Sequence, residues 1–144
     1  MLFPKARFIH MVRHPYDVVP STLNMWKIVL HQNTLNGNGS DPCIDDVIKG
    51  IDKVLATIQQ DSAFLPKERY YEMKFEDLEA DPVNELKKLY SYFTMPLEES
   101  LGRDLESFLN RHKCYKKNEF QLTKEEKELI QRQLFPYMRI YNYK

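Results

Sequence analysis

Five residues near the start of this chain constrain its fold more than any others. Phe8-Ile9-His10-Met11-Val12 is apolar with one interruption and runs directly into Arg13-His14-Pro15. A strand covered on one face alternates apolar and polar residues. A near-continuous apolar run of this length instead predicts a strand buried on both faces, the habit of parallel sheets. Pro15 and Asp17 then open a helix, because proline suits the first helical position and an acidic residue complements the helix dipole. His10 is the one polar break, and a buried histidine satisfied by a backbone partner is expected there.

The first helix is expected from about Pro15 to about Leu30, with a kink where Pro20 removes a backbone donor. Residues 33–40, Asn-Thr-Leu-Asn-Gly-Asn-Gly-Ser, form a polar loop. The second helix is expected to start with Ser40 or Asp41 as cap and Pro42 just inside. Its apolar positions Ile44, Val47, Ile48, Ile51, Val54, Leu55 and Ile58 keep three- and four-residue steps, one face of an amphipathic helix. Arg69 to Phe75 alternates and is rich in aromatics, which predicts a second strand. Asp81-Pro82 opens a helix with Val83, Leu86, Leu89, Tyr90 and Phe93 on one face. Leu97 to about Leu109 reads as another. Thr123-Lys124-Glu125-Glu126 is a capping box, and its helix carries Leu129, Ile130, Leu134 and Met138 inward until Pro136 kinks or ends it.

Two strands separated by helices and loops are expected to pair in parallel, and a sheet of two strands is marginal alone. A doubly covered Phe8–Val12 strand needs neighbours on both edges, and at most one is recognisable. Residues 1–144 therefore read as the C-terminal part of a single larger α/β domain. A partner chain or an unrecognised strand completing the sheet is the other reading.

Composition removes several functions. Lys+Arg and Asp+Glu both number 21, so the chain has no bulk charge with which to coat nucleic acid. No apolar stretch approaches the roughly 20 residues that cross a bilayer. Only Cys43 and Cys114 are present, too few for a disulfide framework, and the four histidines have no metal-ligand spacing with them.

In an open α/β sheet, ligands bind beyond the carboxyl ends of the strands. Arg13 stands at that end of the first strand, and Ser21 follows eight residues later, two turns into the helix. An arginine there, with helix amides and a hydroxyl, makes a phosphate clamp. The spacing is equally met if Arg13 pairs with Asp17 and Ser21 faces solvent.

Residues 8–22, Phe-Ile-His-Met-Val-Arg-His-Pro-Tyr-Asp-Val-Val-Pro-Ser-Thr, resemble the 3′-phosphate-binding segment of sulfotransferases, which use 3′-phosphoadenosine 5′-phosphosulfate (PAPS). The resemblance implies that Arg13 and Ser21 hold the 3′-phosphate of that co-substrate. Arginine offers a planar fork of donors that lysine cannot imitate. Residues 69–82 are similar to the family's strand ending in Tyr-Glu-Asp-Leu before an Asp-Pro helix start, with Phe75 in place of the tyrosine. That departure keeps ring stacking and loses one polar contact. Residues 110–122 resemble the basic segment before the last helix, where His112, Lys113, Lys116 and Lys117 either face phosphates or form a solvated loop. Tyr141-Asn142-Tyr143 stands where members often close with Tyr-Gly-Tyr.

The resemblance implies a P-loop-like parallel sheet covered by helices. It also implies transfer of a sulfuryl group from PAPS to an acceptor hydroxyl or amine. The acceptor could be a small molecule, carbohydrate or protein; neither nucleic acid nor a membrane segment is called for. The family's Pro-Lys-Ser-Gly-Thr-like loop, which cradles the 5′-phosphosulfate, is not among these residues, and no general base stands out. Glycines occur only at 37, 39, 50 and 102. A non-catalytic nucleotide-binding or interaction module on the same scaffold is the alternative.

Overall fold

The computed structural model describes residues 3, 5–33, 41–111 and 118–144. Strand β1 (Phe8–Val12) leads into helix α1 (Pro15–Asn33), followed by α2 (Ile44–Ser62). A 3₁₀ turn at Lys67–Arg69 precedes β2 (Tyr70–Lys74), which passes without a gap into α3 (Phe75–Ala80). Helices α4 (Pro82–Tyr92), α5 (Glu99–Arg111), α6 (Lys124–Gln133) and α7 (Phe135–Ile140) complete the described elements. The two strands pair in parallel, with Phe8 opposite Tyr70, His10 opposite Glu72 and Val12 opposite Lys74. The α/β reading with a two-stranded parallel sheet and several helices therefore holds. No described helix is long and apolar enough to cross a membrane.

The expected double coverage of β1 is not met within these residues. Val12 is fully buried, but Phe8, Ile9 and Met11 remain 44%, 49% and 43% exposed. The cause is topological: β1 pairs with β2 along one edge, and no further strand occurs among the described residues. Helix α1 also runs unbroken through Pro20, whose ring is buried. Helix α2 begins at Ile44, so Asp41 and Pro42 precede it rather than cap it, and Ser40 lies outside the described residues. At that end the thiol of Cys43 donates to Asp46 Oδ2 at 2.9 Å.

The chain divides into two compact units, Met1–Arg13 with Ser62–Lys117, and His14–Asp61 with Asn118–Lys144. The first packs Met73, Leu89 and Phe93 against Tyr71, Leu78, Leu86 and Met95. Rings of Tyr71, Tyr92 and Phe93 meet at 4.9–6.2 Å, edge to face or tilted, the arrangement their quadrupoles favour. Asp81 caps α4 by accepting the Asn84 amide at 3.2 Å, with Pro82 at the first helical position as the sequence predicts.

The second unit is built on Val19, Val47, Ile48, Ile130 and Leu134. Trp26 packs here, and Gly50 makes room for it: a Cβ at Gly50 would stand 3.3 Å from the indole. Gln133 donates to Asp45 Oδ1 at 2.6 Å, tying α6 to α2, while Lys49 pairs with the same carboxylate. Those two partners hold the Asp45 carboxyl below its ordinary range. The capping box of α6 forms as predicted. Pro136 acts differently from expectation: Leu134 ends α6, and Pro136 sits within the first turn of a new helix, α7.

Candidate functional site

Arg13 follows the last residue of β1, at the carboxyl edge of the sheet. Its guanidinium lies 4.5 Å from the centroid of the Phe75 ring. Register explains the meeting: Val12 pairs with Lys74, so the residues just beyond each strand, Arg13 and Phe75, emerge side by side. Guanidinium over an aromatic face is an attractive contact, and it restricts where the fork of donors points. From the sequence Phe75 keeps ring stacking and loses the phenol's polar contact; its use as a platform for Arg13 is seen only in the structure. The parallel register of the strand ends is the signal that would have found it.

Ser21 lies exposed on α1 in the second unit, following buried Val19 and Pro20. Between Arg13 and Ser21 the chain does something the sequence reading missed. His14 is the N-cap of α1. Its ring Nδ1 accepts the backbone N–H of Tyr16 at 3.1 Å, and its carbonyl accepts those of Asp17 and Val18 at 2.9 and 3.1 Å. An amide can only donate, so Nδ1 carries no proton, and Nε2–H donates to the Lys144 carbonyl at 3.3 Å. The imidazole sits with its centroid 4.7 Å from both the Tyr16 and Tyr143 rings.

This cap changes the clamp that spacing suggested. Pro15 has no N–H, and the next three amides are already satisfied within the protein. The first amides of α1 are therefore committed within the protein. A polar residue directly before a first-turn proline is the capping position, which is where His14 could have been recognised. The basic residues His112, Lys113, Lys116 and Lys117 lie outside the described residues.

A second polar cluster crosses the sheet. His10 Nδ1 stands 3.1 Å from the Tyr70 hydroxyl and 3.3 Å from Glu72 Oε1, and the hydroxyl donates to that same carboxylate at 2.8 Å. Burial first, and the neighbouring Glu72 second, push the Tyr70 phenol above its ordinary range, so it remains a donor. The backbone partner expected for His10 is replaced by cross-strand side chains. Parallel register places His10 opposite Glu72 on one face, whereas the strand's own backbone groups serve the ladder.

Comparison with known proteins places this arrangement in context. The profile of the sulfotransferase family matches residues 1–99. The chain is 32% identical over 129 residues to the omega-hydroxy-beta-dihydromenaquinone-9 sulfotransferase Stf3 of Mycobacterium bovis, and equally to that of Mycobacterium tuberculosis. These alignments cover 90% of the chain and 33% of each relative, so the chain spans about a third of their length. Its fold is similar to that of sulfotransferase STF9 from Mycobacterium avium, with a TM-score of 0.77 at 19% identity, over 99% of this chain and 38% of that one.

Proposed function

This chain belongs to the sulfotransferase family, and from that premise we propose that it carries the nucleotide-clamping part of a PAPS-dependent enzyme. Residues 1–144 are, in this reading, the C-terminal part of a single domain. The 5′-phosphosulfate loop and the general base come from elsewhere in the polypeptide. Arg13 and Ser21 hold the 3′-phosphate: the guanidinium supplies two parallel charge-assisted hydrogen bonds, and the hydroxyl supplies a third. Phe75 beneath the guanidinium limits its rotation, so less freedom is lost when the phosphate binds. Stacking of Arg13 on Phe75 at the carboxyl edge of the sheet is the observation that carries this assignment.

The chemistry needs placement more than covalent help. An acceptor oxygen attacks sulfur in line, the bond from sulfur to the bridging phosphate oxygen breaks, and adenosine 3′,5′-bisphosphate departs. The acceptor's proton goes to the base. As in phosphoryl transfer, the protein contributes positioning and charge stabilisation. Anchoring the nucleotide by its 3′-phosphate holds the reacting sulfur in register. The acceptor is a hydroxyl on a small molecule, a reading supported by the 32% identical relatives, whose name specifies an omega-hydroxy substrate.

The test is calorimetry of the full-length protein with adenosine 3′,5′-bisphosphate. Arg13→Ala is expected to weaken binding by about ten- to a hundredfold, the worth of hydrogen bonds to a charged group. Arg13→Lys restores only part of it. Ser21→Ala costs about three- to tenfold. Unchanged affinity in Arg13→Ala would remove that residue from the clamp.

A further inference from the structure

Within the second unit, the turn after α7 aims two groups at one side chain. Asn142 takes the left-handed conformation, and Tyr143 N–H donates to the Met138 carbonyl at 2.8 Å. That closure brings the Tyr143 ring against the imidazole of His14, with centroids 4.7 Å apart. It also brings up the Lys144 carbonyl, 130 residues away in sequence, as acceptor for Nε2–H. The Tyr143 ring is half-buried and is itself held near Tyr137 and Tyr141, at centroid distances of 6.2 and 6.4 Å.

Which imidazole nitrogen carries the proton is set by the bond the other one makes. Nδ1 caps α1 only while it is unprotonated, because its partner is the Tyr16 amide. A neutral ring with its proton on Nδ1 would set N–H against N–H and open the cap. The Lys144 carbonyl keeps the proton on Nε2. An asparagine or serine cap makes no such demand. Histidine does, and the demand is met by a segment remote in sequence.

We propose that Tyr143 is a positioning residue for the phosphate clamp. Its ring fixes the segment that selects the His14 tautomer, and the capped first turn of α1 holds the backbone that follows Arg13. Chain beyond a last helix frays unless it is tied down, so loss of the ring frees the Lys144 carbonyl. A frayed first turn lowers the fraction of molecules in which the clamp is set, and apparent affinity falls with that fraction. The effect on the clamp rests on the sulfotransferase reading; the choice of tautomer does not.

Long-range proton–nitrogen NMR of the full-length protein at about pH 8, where imidazole is ordinarily neutral, reads the tautomer. Calorimetry with adenosine 3′,5′-bisphosphate reads the clamp. The parent is expected to show His14 as Nε2–H, Tyr143→Ala a mixture of both tautomers, and Tyr143→Phe, which keeps the ring, Nε2–H again. Tyr143→Ala is expected to weaken the nucleotide about three- to fivefold, up to the worth of one helix cap. Tyr143→Phe recovers that loss. In a His14→Asn background, where the cap has no tautomer to select, Tyr143→Ala no longer changes affinity. Tyr143→Leu, which keeps apolar bulk without the ring, takes the place of Tyr143→Ala if that variant does not fold. An Nδ1–H signal in the parent, or an unchanged tautomer without the ring, overturns selection by this segment. An equal loss in the His14→Asn background, or no loss with histidine present, overturns the positioning role. If the parent binds no nucleotide, the sulfotransferase reading falls and the clamp with it, while the tautomer still decides whether Tyr143 governs His14.

Discussion

At Thr94 the backbone adopts φ of 51°, in the left-handed region that glycine enters freely and β-branched residues avoid. The reason lies in how α4 ends. Met95 N–H reaches the Tyr90 carbonyl at 2.8 Å and Thr94 N–H reaches Ser91 at 3.0 Å, the paired closure that requires a left-handed residue between them. Buried Phe93 on one side and Met95 on the other hold the turn against the core. Threonine there stores roughly 1–2 kcal/mol of strain. Thr94→Gly is expected to raise stability by about 0.5–1 kcal/mol, because the greater freedom of glycine in the unfolded chain offsets part of the relief. Denaturant midpoints of the full-length protein measure it, and an unchanged or lowered midpoint refutes the strain. Asn142, at φ of 53°, closes α7 in the same way, with Tyr143 N–H donating to Met138 and Asn142 N–H to Arg139. That turn was legible, since Tyr141-Asn142-Tyr143 places asparagine where the family often has glycine. Nothing in the sequence around Thr94 announces a left-handed residue. Phe75 was hidden for another reason: it acts on Arg13, which only the parallel register of the strands brings near, whereas His14 caps its own helix from a position directly before Pro15.

Helix α6 shows what one well-specified element contributes. The Glu126 amide donates to Thr123 Oγ1 at 3.2 Å, and the Thr123 amide donates to Glu126 Oε2 at 2.8 Å. The two bonds satisfy donors that a bare helix end would leave open. They also set the start of the helix that carries fully buried Ile130 into the core of the second unit. Thr123→Ala is expected to cost about 1 kcal/mol of stability and Thr123→Ser to recover most of it. Thermal or denaturant unfolding decides, and equal stability of the alanine variant would make the box decorative. Elements written by local chemistry, such as this helix, the apolar face of α2 and the Asp81-Pro82 start of α4, were readable from spacing alone. Helix α3 was not, because its six residues follow β2 without a gap and are too short to show a period. The division between α6 and α7 was read as a kink or an end, since a proline that interrupts one helix also suits the first turn of the next.

For the molecule as a whole, the sheet poses the main physical demand. Phe8, Ile9 and Met11 leave almost half their surface open, and β1 presents one edge with no strand against it among the described residues. Exposed apolar edges of this kind invite pairing with another strand. On the proposed function, the rest of the domain supplies strands and cover, consistent with a chain that spans about a third of its curated relatives. A lysine at Met11 then separates the two states of the strand. In a covered sheet the ammonium has neither water nor partner, and Met11→Lys should destabilise the full-length protein by about 3 kcal/mol or more, on the scale of a core substitution. Met73→Lys, at a residue that is already buried in the first unit, provides the reference for such a loss. At a true edge facing solvent, the Met11 substitution would cost no more than about 0.5 kcal/mol and would reduce self-association. Urea unfolding of the two variants side by side reads the difference. A Met11→Lys protein as stable as the parent would show that β1 faces water in the full-length molecule, against the continuous apolar pattern of Phe8–Val12.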